Sequence, residues 1–546
     1  MGEAMMAGVS GLKAHQKMLD VAGNNLANVN TNGFKSSRVT FSELLSDTIR
    51  QATQPVGGVG GTNPMQIGGG TQVASVDKKM TQGSLVDTGQ PLDMAIDGAG
   101  FFILSDGRSR SYTRVGSFTV DSNFNLVDPG TGFRVQRQGS LGVADGFQDP
   151  ANSDIRIPYD VALPARQTQN ITFTGNLTAD NISPSTNILS SGLAYTSGGS
   201  IAAATARIAD LDQVSGLVAG DRIDITGTDR EGNAVSSQLV LDATTTLEDL
   251  ITAIDAVFPG STTTMNNGEL RLSDDQSGYS QTDLRLTYVG AGSMELPDNF
   301  NIISAGGLAN KTTSVEIFDS QGVSHILSGV FVRTDQVNTW DFVVTSVSGG
   351  AEMVDRRVRG ITFQTNGAFG GLDTAQGDTM SFEVRFAHDP DSTRLVNLNF
   401  GNVGQFDGLT QFGGASTASS SEQDGYASGW LSSMSVSREG ILVGMFSNGV
   451  KREIASLALA TFQNPAGLEA IGNNYYAATS NSGRPIETTG LAGGAGAVRG
   501  GVIEKSNVEI AVEFVNLMQA QNGFQANSRT IRVADEMLRE IANLIR

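Results

Sequence analysis

With 546 residues, no cysteine and a formal net charge of −20, the chain is long enough for several domains and too acidic to suit a nucleic acid or an anionic membrane surface. The absent thiol removes disulfides, thiolate metal sites and thiol catalysis together. Aromatic content of 6% beside 67 glycines points to turn-rich β structure rather than a dense enzyme core.

A first helix is predicted over 3–29. Met5, Leu12, Leu19 and Leu26 recur every seven residues. The run Asn28, Asn30, Thr31, Asn32 and Gly33 then ends it, because Asn and Gly accept the left-handed conformation that closes a helix. The opening residues lack a basic segment followed by an apolar one, so if the protein leaves the cell, a route without a cleaved signal peptide is expected. No window reaches 18 uninterrupted apolar residues, and no membrane insertion is expected. The glycine-rich tract 57–70 reads as a flexible connector.

Period-two alternation follows at Phe101 and Ile103, Phe118 and Val120, and Phe133 and Val135. Over 196–310 the pattern is that of an independent small domain. Its strands are expected at Ile223 and Ile225, Leu239 and Leu241, Leu270 and Leu272, and Leu284, Leu286 and Tyr288. It holds one amphipathic helix, capped by Thr245 and Glu248, burying Leu247, Leu250, Ile251, Ile254 and Phe258, and stopped by Pro259 and Gly260.

Beyond it, Val315, Val330, Val332, Trp340, Phe342 and Val344 mark strands around a turn at 319–322. On the return side Ile441, Val443 and Met445 lead into the hairpin signal Asn448-Gly449, then Ile454, Leu457 and Leu459. A second glycine tract covers 490–501. The last helix opens on the capping pair Ser506 and Glu509 and runs to 546, about 54 Å at 1.5 Å per residue. Ile510, Leu517, Phe524, Ile531, Leu538 and Ile545 share one heptad position, and Asn522-Gly523 is the only interruption.

A stripe repeating every seven residues has to be covered by another helix. The fold class expected is therefore multidomain α+β: a terminal α-helical coiled-coil stem, with nested mainly-β domains looped out between the two ends. The layers are 1–32 with 506–546 (terminal helices), 33–75 with 482–505 (glycine-rich connecting segments), 76–176 with 401–481 (first β-domain), 177–195 with 311–400 (second β-domain), and 196–310 (inserted small α+β domain).

The segment GNNLANVNTNGFK, with Asn24, Asn25, Leu26, Ala27, Asn28, Thr31, Gly33, Phe34 and Lys35, resembles the signature of the bacterial flagellar rod and hook family. DMAIDGAGFFIL at 93–104 and the segment 112–136 are similar to that family's first β-domain. The last forty residues look like its C-terminal helix. The rod members are shorter, and the large middle, with DSQGVSHILSGVFVR at 319–333, NTWDFVV at 338–344 and GLTQFGG at 408–414, resembles the longer, hook-type members.

The resemblance implies a structural, non-enzymatic subunit that self-assembles into a curved flexible tube, a universal joint passing torque from rod to filament around an export channel. The partners it implies are other copies of the chain, the distal rod protein, the hook cap, the hook–filament junction protein, and the export apparatus with its cargo. The place it implies is the flagellar hook, outside the cell. The heptad residues would form the assembly seam, and Gln521, Asn522, Gln525, Ser528, Arg529 and Arg532 would face the channel. A cysteine–lysine crosslink known in some members is excluded, since there is no cysteine. Alternatives are a stiff distal-rod protein of the same family or a secreted β-rich adhesin.

No catalytic, cofactor or metal site is expected. His15, His325 and His388 lie in a helix, a strand and a loop without ligand spacing, and are read as structural or exposed. Asp274-Asp275 and Asp389-Pro390-Asp391 read as turns, with weak calcium binding as the rival reading.

Overall fold

The computed structural model describes residues 2–544, apart from 56, 181, 298, 350, 374–378, 387, 390 and 391. Ile545 of the heptad stripe and the Pro390-Asp391 pair lie outside the described residues. The chain forms two compact units, one from 1–163 with 429–546 and one from 164–428. It is mostly β, with three α-helices among the described residues: α1 (Gly2–Ala27), α2 (Leu247–Asp255) and α3 (Ile510–Leu544).

In the first unit the two passes of the chain complete each other. Phe101–Ser105 pairs with Arg110–Thr113, and Leu459–Thr461 and Tyr475–Ala477 of the return pass extend that sheet. Further on, Ala497–Gly500 pairs with Met94–Asp97 and Val502–Glu504 with Leu85–Asp87. The glycine tract 490–501 thus ends inside a ladder. Gly496 lies so close to Asp97 that an added methyl would sit 2.1 Å from the Asp97 carbonyl oxygen, which explains the residue without appeal to flexibility.

Tract 57–70 likewise belongs to a long hairpin, in which Ser37–Glu43 pairs with Thr71–Lys78 and Asp47–Arg50 with Met65–Ile67. Phe101 to Leu104 are all buried, so this strand is covered on both faces rather than alternating. In Ile441–Phe446 the buried face is Leu442, Gly444 and Phe446, the opposite parity from the one expected. Gly444 decides it, because Ile454 and Leu431 close over the position where its side chain would be.

The second unit carries a five-stranded meander, from Asn310–Phe318 through Ser324–Arg333, Thr339–Val347 and Arg357–Phe363 to Phe369–Leu372. A second sheet is centred on Asn170–Thr178. The rings of Phe173, Phe331, Phe342 and Phe400 meet in the core around the wholly buried Trp340. The inserted region begins its own sheet at Ile188–Ser190, ahead of the expected boundary at 196, and closes with Asn301–Ser304.

The insert's core is also continuous with Val330, Val332 and Val343 of the meander, so it does not stand apart. Arg356 ties the two together through Asp283 and the Phe300 carbonyl (2.7 Å), and burial pushes its guanidinium down to about 9. Leu247, Leu250, Ile254 and Phe258 are buried as expected. The cap of α2 is Thr246 with Asp249, one residue later than expected, because Thr245 is already held by Asp242. Asp274 is no turn residue. It ends a strand, buried, accepting the hydroxyls of Ser261 and Thr282.

Candidate assembly surface

The two terminal helices run antiparallel against each other within the first unit. Gly8 faces Ile531, Gly11 faces Asn527, His15 faces Gly523, and Asn25 donates to Glu513 (3.1 Å). The seam is built of small residues. Ala14, Ala22, Ala520 and Ala534 are buried in it, and a methyl at Gly11 would lie 2.7 Å from the Asn527 amide. At Gly523 the imidazole of His15 fills the space a side chain would need, at 2.4 Å from a built Cβ. Gly523 therefore admits a neighbour, and α3 continues through it unbroken.

The large heptad residues are placed differently. Met5, Leu12, Leu19, Leu26, Leu517, Phe524 and Ile531 are half-buried, whereas Ile510 and Leu538 are exposed. Facing away from α1, spacings of three and four put one stripe along α3. It is apolar at Ile510, Phe514 (50% exposed) and Met518 (56%), and polar at Gln521, Gln525, Arg529 and Arg532. Asn522 is exposed beside it and Ser528 half-buried. Near the end, Val533, Met537 and Ile541 are again exposed and apolar. The start of α3 lacks the expected capping box: the Ser506 hydroxyl accepts from the Val508 N–H instead.

Below the helices the NGFK motif forms a buried anchor. Asn25, fully buried, pairs both ways with the backbone of Ser37 (2.8 and 2.9 Å). Asn28 bonds back to Asn24 and receives the Thr31 hydroxyl, closing the helix end. Leu26 is half-buried and Ala27 exposed. Gly33, at φ +68, donates to the Glu504 carbonyl (2.8 Å), and Phe34 lies buried under the Lys78 ammonium.

Lys35 places its ammonium 2.6 Å from a Glu504 carboxylate oxygen and 2.8 Å from the Thr81 carbonyl. Glu504 also accepts from the Gly83 N–H (2.8 Å) and from Arg114 (3.4 Å), whose other nitrogen reaches the Gly98 carbonyl (2.7 Å). Burial lowers the Lys35 pKa, with Glu504 opposing, and burial lowers that of Arg114 likewise. Two cations on one sealed carboxylate form a structural node rather than a reactive site, since every oxygen is in use. Sequence reasoning named Lys35 but not its partners. The one signal was a lone charge, Glu504, in the otherwise apolar strand Val502–Glu504.

Terminal helices packed on each other, β-ladders completed by both passes of the chain, and apolar residues left uncovered on the helices define a protein with a surface open to further packing. Residues 5–35 match the family described as Flagella basal body rod protein, 95–179 the Flagellar hook protein FlgE/F/G D1 domain, 290–426 the Flagellar basal body protein FlaE D2 domain, and 499–544 the Flagellar basal body rod FlgEFG protein C-terminal. The chain is 32% identical to the flagellar hook protein FlgE of Borreliella burgdorferi over the whole of both chains, and 32% identical to that of Treponema pallidum over the same share. It is 26% identical to the FlgE of Escherichia coli K12, over 99% of this chain and 100% of that one. A crystal structure of Helicobacter pylori flagellar hook protein FlgE2 aligns with a TM-score of 0.40 at 15% identity, over 76% of this chain and 99% of that one. The chain belongs to the flagellar hook protein FlgE family.

Proposed function

We propose that the chain is the repeating structural subunit of a flagellar hook, polymerising into a curved, flexible tube that passes torque from rod to filament and encloses an export channel. The observation that carries this is the uncovered apolar surface of the helix pair. Ile510, Phe514, Met518, Val533, Met537 and Ile541 are about half exposed in the single chain, and covering the rest of each with neighbouring copies would contribute about 0.7–1.5 kcal/mol, half the value of a full burial. The half-buried heptad residues Met5, Leu12, Leu19, Leu26, Leu517, Phe524 and Ile531 complete that seam from inside, giving a coiled-coil stem.

Gln521, Asn522, Gln525, Ser528, Arg529 and Arg532 then line the channel, where a wetted wall does not hold unfolded cargo. The chain divides in this reading into the paired layers 1–32 with 506–546, 33–75 with 482–505, 76–176 with 401–481, 177–195 with 311–400, and the insert 196–310. Its partners are copies of itself, the distal rod protein, the hook cap, the hook–filament junction protein and the export apparatus, and its place is outside the cell. The role is mechanical and not catalytic.

Phe514→Asp with Met518→Glu tests this reading. Both sites are half exposed, so the purified monomer should keep its circular dichroism while polymerisation is lost. Normal polymers from this variant would refute the proposed seam.

A further inference from the structure

Two of the three histidines converge on one carboxylate. Asp319 is buried at the turn between Asn310–Phe318 and Ser324–Arg333, and one of its oxygens lies 3.3 Å from His325 Nε2 and 3.3 Å from His388 Nδ1. Its other oxygen accepts the N–H groups of Gln321 (2.8 Å) and Val323 (2.9 Å). Burial works to raise the Asp319 pKa, but these backbone and imidazole bonds outweigh it and hold the carboxyl below its usual range. Asp319 is thus an acceptor only.

His325 is buried as well, and its Nδ1 lies 2.8 Å from the Ser348 carbonyl oxygen. A carbonyl cannot donate. Both ring nitrogens of His325 therefore face obligate acceptors, and both bonds exist together only if both nitrogens carry protons. His388 has no such requirement, because its second nitrogen meets the Ser320 hydroxyl (3.2 Å), which either donates or accepts. Among the described residues, the titratable groups facing His325 are Asp319 and, across that carboxylate, His388. Asp389 beside His388 is taken up by Arg394, and the close neighbours Phe386 and Gly349 are uncharged.

The turn that Asp319 holds sits on the neck of the second unit, where the chain enters at 164 and leaves at 428. Gly322, at φ +83, approaches so closely that an added methyl would lie 2.5 Å from Ala165 Cβ and 3.3 Å from Ala427 Cα. The backbone of Phe318 is tied on both sides to Thr168 (2.9 and 2.9 Å). We propose that His325 is a proton-operated brace for this neck: doubly protonated it clamps the Asp319 turn between the neck segments at 165–168 and 427 and Ser348, and singly protonated it releases one of them. The brace is closed at low pH and opens as pH rises.

Asp319→Asn separates the brace from ordinary packing. The asparagine amide would donate to a singly protonated His325, and His388 could switch tautomer, so every bond is kept without the extra proton. The test is imidazole ¹⁵N NMR on the full chain between pH 5 and 9, together with amide exchange over 165–168 and 319–323, corrected for intrinsic rates. In the parent chain His325 should show two protonated nitrogens at the acid end. Protection of those amides should fall about ten-fold when the second proton leaves, the size of one charge-assisted bond. In Asp319→Asn that fall should vanish. A singly protonated His325 throughout, an unchanged protection in the parent, or a pH dependence that persists in Asp319→Asn would each overturn the proposal. Should that variant not fold, His325→Gln must abolish the dependence, and its persistence there would equally overturn it.

Discussion

Glu504 holds two buried cations, and its neutralisation should therefore cost more than the loss of either cation. In Glu504→Gln the shape is kept, but Lys35 is left with the Thr81 carbonyl and Arg114 with the carbonyls of Ile96 and Gly98. Two sealed positive charges then share no anion, a situation that costs about 3–5 kcal/mol. In Lys35→Met the carboxylate still has Arg114 and the Gly83 N–H, so the loss should be nearer 1–3 kcal/mol. Amide exchange over 83–98 and 500–505 reads this directly, where 3 kcal/mol appears as roughly a hundred-fold loss of protection. Trp340, in the core of the other unit, supplies the control by its fluorescence on unfolding once the exposed Trp430 of the first unit is replaced by Phe. Equal losses in the two variants, or a loss carried equally by the Trp340 transition, would refute the idea that one carboxylate balances both cations.

Gly11→Leu should push α1 from α3 at the cost of about 1–3 kcal/mol, while Gly23→Ala, with nothing within 4 Å, should be neutral or gain up to about 1 kcal/mol; thermal melts followed by circular dichroism separate the two. The Asp221 carboxyl is held down to about 2 by the Tyr288 hydroxyl and the N–H groups of Val218, Ala291 and Gly292. Its folded value lies below that of an unfolded aspartate, about 3.9. Its stabilisation is therefore complete above pH about 4 and lost as pH falls toward 2. Acid unfolding of the second unit should show this loss, and Asp221→Asn should flatten it. Arg356→Met orphans the Phe300 carbonyl and should cost about 1–3 kcal/mol, read as faster amide exchange over 299–304.

What the sequence discloses and what it hides follow from the range of each signal. The end helices announce themselves because a seven-residue beat is local, and Gly2–Ala27 and Ile510–Leu544 fall where that beat does. Which residues make the contact between them is not local. Large side chains carry the pattern, yet the close approach goes through Gly8, Gly11 and Gly523, which a hydrophobic pattern passes over. Strand ILVGMF is apolar at both parities, so only the packing of Ile454 over Gly444 chooses its face. In the run Thr244-Thr245-Thr246 every residue is a credible cap, and the bond from Asp242 decides which one is free. Lys35 and Glu504 lie 469 residues apart, and neither position alone reveals a pair.

That separation governs how the molecule comes into being. A chain emerging amino end first presents the strand Leu85–Asp87 and the ammonium of Lys35 long before Val502–Glu504 is available to receive them. Until those last strands arrive, Met94–Asp97 and Leu85–Asp87 lack their partner strands and Lys35 lacks its carboxylate. The contiguous second unit, 164–428, has no such wait, so the order in which the segments arrive bears on the first unit.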